Sequence, residues 1–96
     1  MTNLTAFSFN NNQVRTILID GNVWFVGNDI CTVLEMGNPR QALSRLKEYE
    51  KGVHILDTLG GNQSMTVISE SGLYRLVLTS RKPQAEPFQD WVCQEV

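Results

Sequence analysis

Between Met65 and Val96 the hydrophobic period changes once and is broken once, and these two events constrain the fold more than any other part of the chain. The β-branched run Met65-Thr66-Val67-Ile68 reads as a strand. Ser69 then caps a helix, with Glu70 placed where a helix N-terminus favours negative charge. Leu73, Leu76, Val77 and Ser80 recur at i, i+3, i+4 and i+7, which gives one inward stripe, while Arg75 and Thr79 point elsewhere. Pro83 stops that helix. Phe88, Trp91, Val92 and Val96 repeat with the same period and predict a second amphipathic helix. An interior proline costs ~3 kcal/mol, so Pro87 requires this helix to start near Gln84, with the proline still in its first turn. The two helices meet at a basic corner, Ser80-Arg81-Lys82.

Upstream, Phe7-Ser8-Phe9 alternates, Asn10 to Gln13 is turn-prone, and Val14 to Asp20 resumes with β-branched residues, a hairpin pattern. Asp20-Gly21 suits a tight primed turn, so Val23 to Val26 returns as a third strand of an antiparallel meander. Trp24 and Phe25 point to opposite faces of that strand. Only one of them can enter a core shared with helices unless both faces are covered. Asn28 or Asp29 is the expected cap of a helix that buries Ile30, Val33 and Leu34, with Gly37 as its C-terminal cap. Asn38-Pro39 opens the next helix, cap first and proline at the first helical position. Ala42, Leu43 and Leu46 form its apolar stripe, and Arg40, Gln41, Ser44, Arg45 and Lys47 are left outward. Two short helices across a tight turn predict a helix-turn-helix-like pair.

Lys51-Gly52 is expected to end the second of these helices. Val53 to Leu56 and Gln63 to Ile68 then form a second hairpin around a loop from Asp57 to Asn62. Gly60-Gly61 in that loop reads as turn geometry in preference to a phosphate cradle. The fold class is α+β: a small single domain of antiparallel β-hairpins and about four helices. Its core combines Trp91, Phe88, Leu73, Leu76 and Val77 with Ile30, Leu34 and Leu43.

A chain of 96 residues, 42% hydrophobic, supports one such core and no second one. Cys31 and Cys93 are far apart, and His54 is the only histidine, so both cysteines read as reduced core residues and no metal or cofactor is expected. Ser69-Glu70-Ser71-Gly72 has no histidine or lysine placed near it, which favours a helix cap over a nucleophile, and the chain is not expected to be an enzyme. The N-terminus lacks a basic segment followed by an apolar run, and no apolar run approaches ~20 residues, so a cytoplasmic protein without membrane contact is expected.

The net charge of −2 hides an uneven distribution. Arg40, Arg45, Lys47, Lys51, Arg75, Arg81 and Lys82 crowd the middle of the chain against Glu48, Glu50, Asp57 and Glu70, whereas Glu86, Asp90 and Glu95 make the last helix acidic. Arg40, Gln41, Ser44 and Arg45 suit the base edges of a major groove, since arginine can pair with guanine and glutamine with adenine. Ser80, Arg81 and Lys82 are candidate phosphate contacts, with Lys47 and Lys51 adding charge. The plain alternative is that Arg40 and Arg45 are solvated, pairing with Glu35, Glu48 or nothing.

Several separated strings also resemble a known family. Ile68-Ser69-Glu70-x-Gly72-Leu73-Tyr74-x-Leu76, Ser80-Arg81-Lys82-Pro83-x-Ala85 and Phe88-x-x-Trp91-Val92 are similar to the signature of the Bro family N-terminal domain, found in prophage antirepressors and baculovirus Bro proteins. Trp24-Phe25-Val26-x-x-Asp29-Ile30-Cys31 and Thr58-x-Gly60-Gly61-x-Gln63 fit it in the same order, so the resemblance spans roughly Phe7 to Val96. Pro87 departs from it, because the family more often has a basic or polar residue there. The resemblance implies a DNA-binding domain over residues 1–96, often fused to a variable C-terminal domain that the chain is expected to lack, in proteins that relieve repression of phage genes inside a bacterial host. Double-stranded DNA is the implied partner. The alternative is a protein-interaction module that binds a phage repressor or forms a homo-oligomer through the acidic last helix with Phe88 and Trp91.

Overall fold

The computed structural model describes residues 4–58, 60–80, 83 and 85–95. Strands β1 (Leu4–Phe9), β2 (Asn12–Ile19) and β3 (Asn22–Val26) form the expected meander. Each connection is a tight turn with left-handed backbone: Asn10 at φ 49° and Asn11 at 66°, then Asp20 at 51° and Gly21 at 80°. Such turns match the twist of the strands they join, and Asn, Asp and Gly tolerate them best.

The second hairpin pairs β4 (Lys51–Thr58) with β5 (Gly61–Ile68), from Lys51 opposite Ile68 to Thr58 opposite Gly61. The Asp57 to Asn62 loop is therefore shorter than expected. Strand pairing continues inward to Thr58, and Gly61, at φ 100°, supplies the backbone conformation that a side chain would strain. All five strands form one antiparallel sheet in the order β1-β2-β3-β5-β4. β3 and β5 meet at two residue pairs only, Phe25 with Ile68 and Val26 with Val67.

Four helices, α1 (Gly27–Val33), α2 (Pro39–Ser44), α3 (Glu70–Thr79) and α4 (Ala85–Glu95), complete the α+β fold, with a 3-10 turn at Glu48–Glu50. Phe25, Ile30, Leu34, Leu43, Leu73, Leu76, Val77 and Phe88 share the main core, as their helical and strand periods predict. Trp24 joins a separate cluster with Ile17, Val26 and Val67, so both faces of β3 are used. Phe88 is fully buried, whereas Trp91 is half-buried and stacks on it at 5.7 Å between ring centroids. The central aromatic is thus Phe88. Pro87 is the third residue of α4, inside the first turn where it removes no helical hydrogen bond.

Three helix boundaries differ from expectation. α1 begins at Gly27 without a side-chain cap, because Val26 holds the cap position and Asn28 and Asp29 lie inside the first turn; the Asp29 carboxylate is committed to Arg15, with Oδ2 accepting from Nε at 2.8 Å and from the backbone N–H at 2.9 Å, and Oδ1 from Nη2 at 2.9 Å. α1 closes at Glu35 and not Gly37. Glu35 takes φ 53°, its N–H donates to Thr32 O at 3.1 Å, and Met36 N–H donates to Cys31 O at 2.9 Å, a paired closure that satisfies two terminal carbonyls. α2 stops at Ser44, well before Lys51. The N–H groups of Arg45 and Leu46 bond three residues back to Ala42 O and Leu43 O, which tightens the last turn and turns the chain toward β4. α1 and α2 touch, but helices of seven and six residues in contact do not by themselves make a helix-turn-helix. Cys31 is buried as expected, and burial raises its thiol pKa; Cys93 lies exposed on α4 and is not a core residue.

The hairpin is fastened at its base by Glu50. Its Oε1 accepts from Arg75 Nε at 2.8 Å and from Lys47 N–H at 2.9 Å, and its backbone carbonyl accepts from Ser69 N–H at 2.9 Å. Ser69 Oγ caps α3 by accepting from Gly72 N–H at 3.2 Å. A Cβ on Gly72 would stand 2.9 Å from Glu50 O, so only glycine lets α3 approach this closely. The hydrogen bond from Arg75, assisted by the Lys47 N–H, holds the Glu50 carboxyl below the usual carboxylate range. Its side chain is 1% exposed.

Three outcomes follow for stability. Phe88→Ala is expected to cost ~3–5 kcal/mol, and Trp91→Ala less because its ring remains partly wet; thermal melts of the two variants check the order. Gly72→Ala gains up to about 1 kcal/mol of helix propensity yet should lower the melting temperature, because the contact it forces is with backbone. Glu50→Gln preserves the acceptor oxygen and removes the charge. Since the folded-state pKa of Glu50 is depressed, wild type should be more stable than this variant near neutrality, and the advantage should vanish as pH falls below roughly 4.3 and through the folded value, as read from melts over a pH series.

Candidate nucleic-acid interface

The basic side chains divide into those the fold uses and those it leaves outward. Arg15 is bound to Asp29 and Arg75 to Glu50, so neither is available to a partner without loss of structure. Lys51 Nζ lies 3.5 Å from Leu43 O and 4.0 Å from Glu48 Oε1, a loose contact with a carboxylate that is almost wholly exposed. Arg40, Arg45 and Lys47 are exposed, and among the described residues Arg40 and Arg45 pair with neither Glu35 nor Glu48.

α2 presents these groups because its other side is anchored. Asn38 Oδ1 accepts from Gln41 N–H at 3.2 Å, Pro39 occupies the first helical position, and Leu43 and Leu46 are buried. Gly27 lies so close beneath that a Cβ there would touch both methyls of Leu43 at 3.0 Å. The rotation of α2 is thereby fixed, which turns Arg40, Gln41, Ser44 and Arg45 to solvent. Ser44 is less available than the others, since its hydroxyl donates to Gln41 O at 2.7 Å.

A cleft of about 520 Å³ opens between α2 and the β4–β5 hairpin, lined by Arg40, Leu43, Lys51, Gly52, Asn28 and Thr66 among others. Its walls bring together two cations, the Glu48 carboxylate, two uncharged polar side chains and the apolar Leu43 and Val53. Asn28 and Thr66 come from distant segments, and nothing in their local sequence marks them for this place. Ser80, the end of α3, is half-buried, with its N–H donating to Leu76 O and Val77 O at 3.0 and 3.2 Å. Arg81 and Lys82, the other two members of the expected clamp, lie outside the described residues. Phe88 is buried and cannot present a surface from α4, whereas Trp91 is half-buried and keeps part of its ring exposed. No helix among the described residues is long and apolar enough to cross a membrane.

Comparison with known proteins places the chain in a family. Residues 13–96 match the BRO family, N-terminal domain. An uncharacterized protein of Haemophilus influenzae is 43% identical over 94 residues, which cover 96% of this chain and 47% of that protein. Putative Bro-N domain-containing protein 201R of Invertebrate iridescent virus 6 is 31% identical over 91% of this chain and 26% of its own length. The 019R protein of Invertebrate iridescent virus 3, named likewise, is 32% identical over 76% of this chain and 24% of its own length. The chain thus spans less than half the length of these relatives. No solved structure matches it. The chain belongs to the BRO family, whose N-terminal domain it carries.

Proposed function

We propose that the chain is the DNA-binding module of a phage-type antirepressor or transcription regulator, and a binding protein with no catalytic role. The observation that carries this reading is the outward face of α2, where Arg40 and Arg45 stay unpaired among the described residues while Arg15 and Arg75 are committed to the fold. Exposed cations without internal partners are available to phosphate and to guanine, and Gln41 beside them can pair with adenine. Membership of the BRO family supports a nucleic-acid partner. Arg40 and Lys51, which share the cleft, add charge beside the helix, and Arg81 and Lys82 after α3 are proposed as phosphate contacts. The net charge of −2 and the acidic residues of α4 favour a second reading, in which the chain engages a repressor protein.

Mobility-shift titrations over a salt series, on specific and scrambled duplexes, test the assignment residue by residue. Arg81→Ala and Lys82→Ala should weaken binding to all duplexes alike, each lowering the salt slope by about one unit. Arg40→Ala or Gln41→Ala should reduce preference for one sequence by ~1–3 kcal/mol, with a smaller effect on the slope wherever the side chain touches bases alone. Absence of salt-dependent retention of any duplex at low ionic strength rejects DNA and leaves the protein partner.

A further inference from the structure

β4 is an outer strand of the sheet, and no described residue pairs with its far side. β5 meets β3 at two pairs only, at the base of the hairpin, so beyond Val53 the two strands have no other neighbour in the sheet. Val53 and Ile55, on one face of β4, are 73% and 60% exposed. Soluble proteins blunt such edges with a proline, a bulge, a central lysine or a very short strand. β4 has eight residues in unbroken register and carries none of these between Gly52 and Leu56.

The residue order of β4 selects its partner. Antiparallel pairing of the strand with its own copy, about a two-fold axis through His54, sets Val53 opposite Ile55 and Lys51 opposite Asp57, each twice. Apolar residues then fall opposite one another at the centre, and the sequence sets residues of opposite charge at paired positions towards the ends, the two kinds of cross-strand pair that stabilise a sheet. A slide of two residues keeps one apolar pair on the axis, Ile55 with Ile55 or Val53 with Val53, but sets Val53 opposite Asp57 twice in one direction and Ile55 opposite Lys51 twice in the other. A slide of one residue turns the helical layers of the two copies to opposite sides. We infer that β4 is a self-pairing edge and that two copies of this chain join through it into one continuous antiparallel sheet, with His54 facing His54 of the second copy.

Sedimentation of the 96-residue chain over a range of concentrations, without DNA, tests this independently of any nucleic-acid role. A reversible dimer is expected, and Ile55→Lys should weaken it on the order of ten-fold or more while leaving the circular dichroism and the melt of the dilute protein unchanged. In a Cys93→Ser background, a short thiol cross-linker should join His54→Cys efficiently and Thr58→Cys poorly, because the latter pair would stand roughly 25 Å apart along the strands. A wild type that stays monomeric throughout overturns the inference and leaves the edge to a strand of another protein or to DNA. A dimer indifferent to Ile55→Lys, or equal cross-linking at the two positions, overturns it equally.

Discussion

Glu50 joins the two ends of the hairpin and the start of α3 at one point. The chain leaves it into β4 and returns at Ser69, whose N–H donates to the Glu50 carbonyl, while the carboxylate holds Lys47 on one side and Arg75 on the other. A charge with so little exposure is tolerated only when its lone pairs are satisfied, and here backbone and guanidinium share one oxygen. The absence of a side chain at Gly72 is the complementary requirement. Arg15 and Asp29 perform the same service for α1 and β2, so both places where a strand gives way to a helix are held by an arginine–carboxylate pair between segments distant in sequence.

Features written in local sequence were legible before the structure. The Asp20-Gly21 turn, the Ser69 and Asn38 caps and the apolar stripes of α3 and α4 each follow from a few neighbouring residues, and each occurs. The misreadings fall where a distant partner decides. Asp29 looks like a cap but lies inside the first turn with its carboxylate on Arg15, and Glu35 is an unremarkable glutamate until the chain must reverse toward α2. α2 ends early because the chain must reach Glu50, a demand that its periodicity does not contain.

The candidate interface follows the same division. Exposure of Arg40, Gln41, Ser44 and Arg45 could be read from the helical period, since Leu43 and Leu46 fix the buried side. The loss of Arg75 to Glu50 and the presence of Asn28 and Thr66 beside Arg40 could not, because they depend on how α1, α2 and the hairpin converge. Composition alone counted Arg75 as part of a basic region. Geometry removes it and leaves a smaller set of free cations.

The slender junction between β3 and β5 also bears on how the molecule assembles. The meander and the second hairpin each close between neighbouring residues, events that take about 1–10 μs in isolation, whereas the Phe25 to Ile68 pairing must gather ends separated by α1, α2 and the entire hairpin. Two locally nucleated units are thereby expected to dock late. Until then the inner edges of β3 and β5 are open together, and crowding at that stage offers the chain its simplest route to exchanging hairpins with a neighbour.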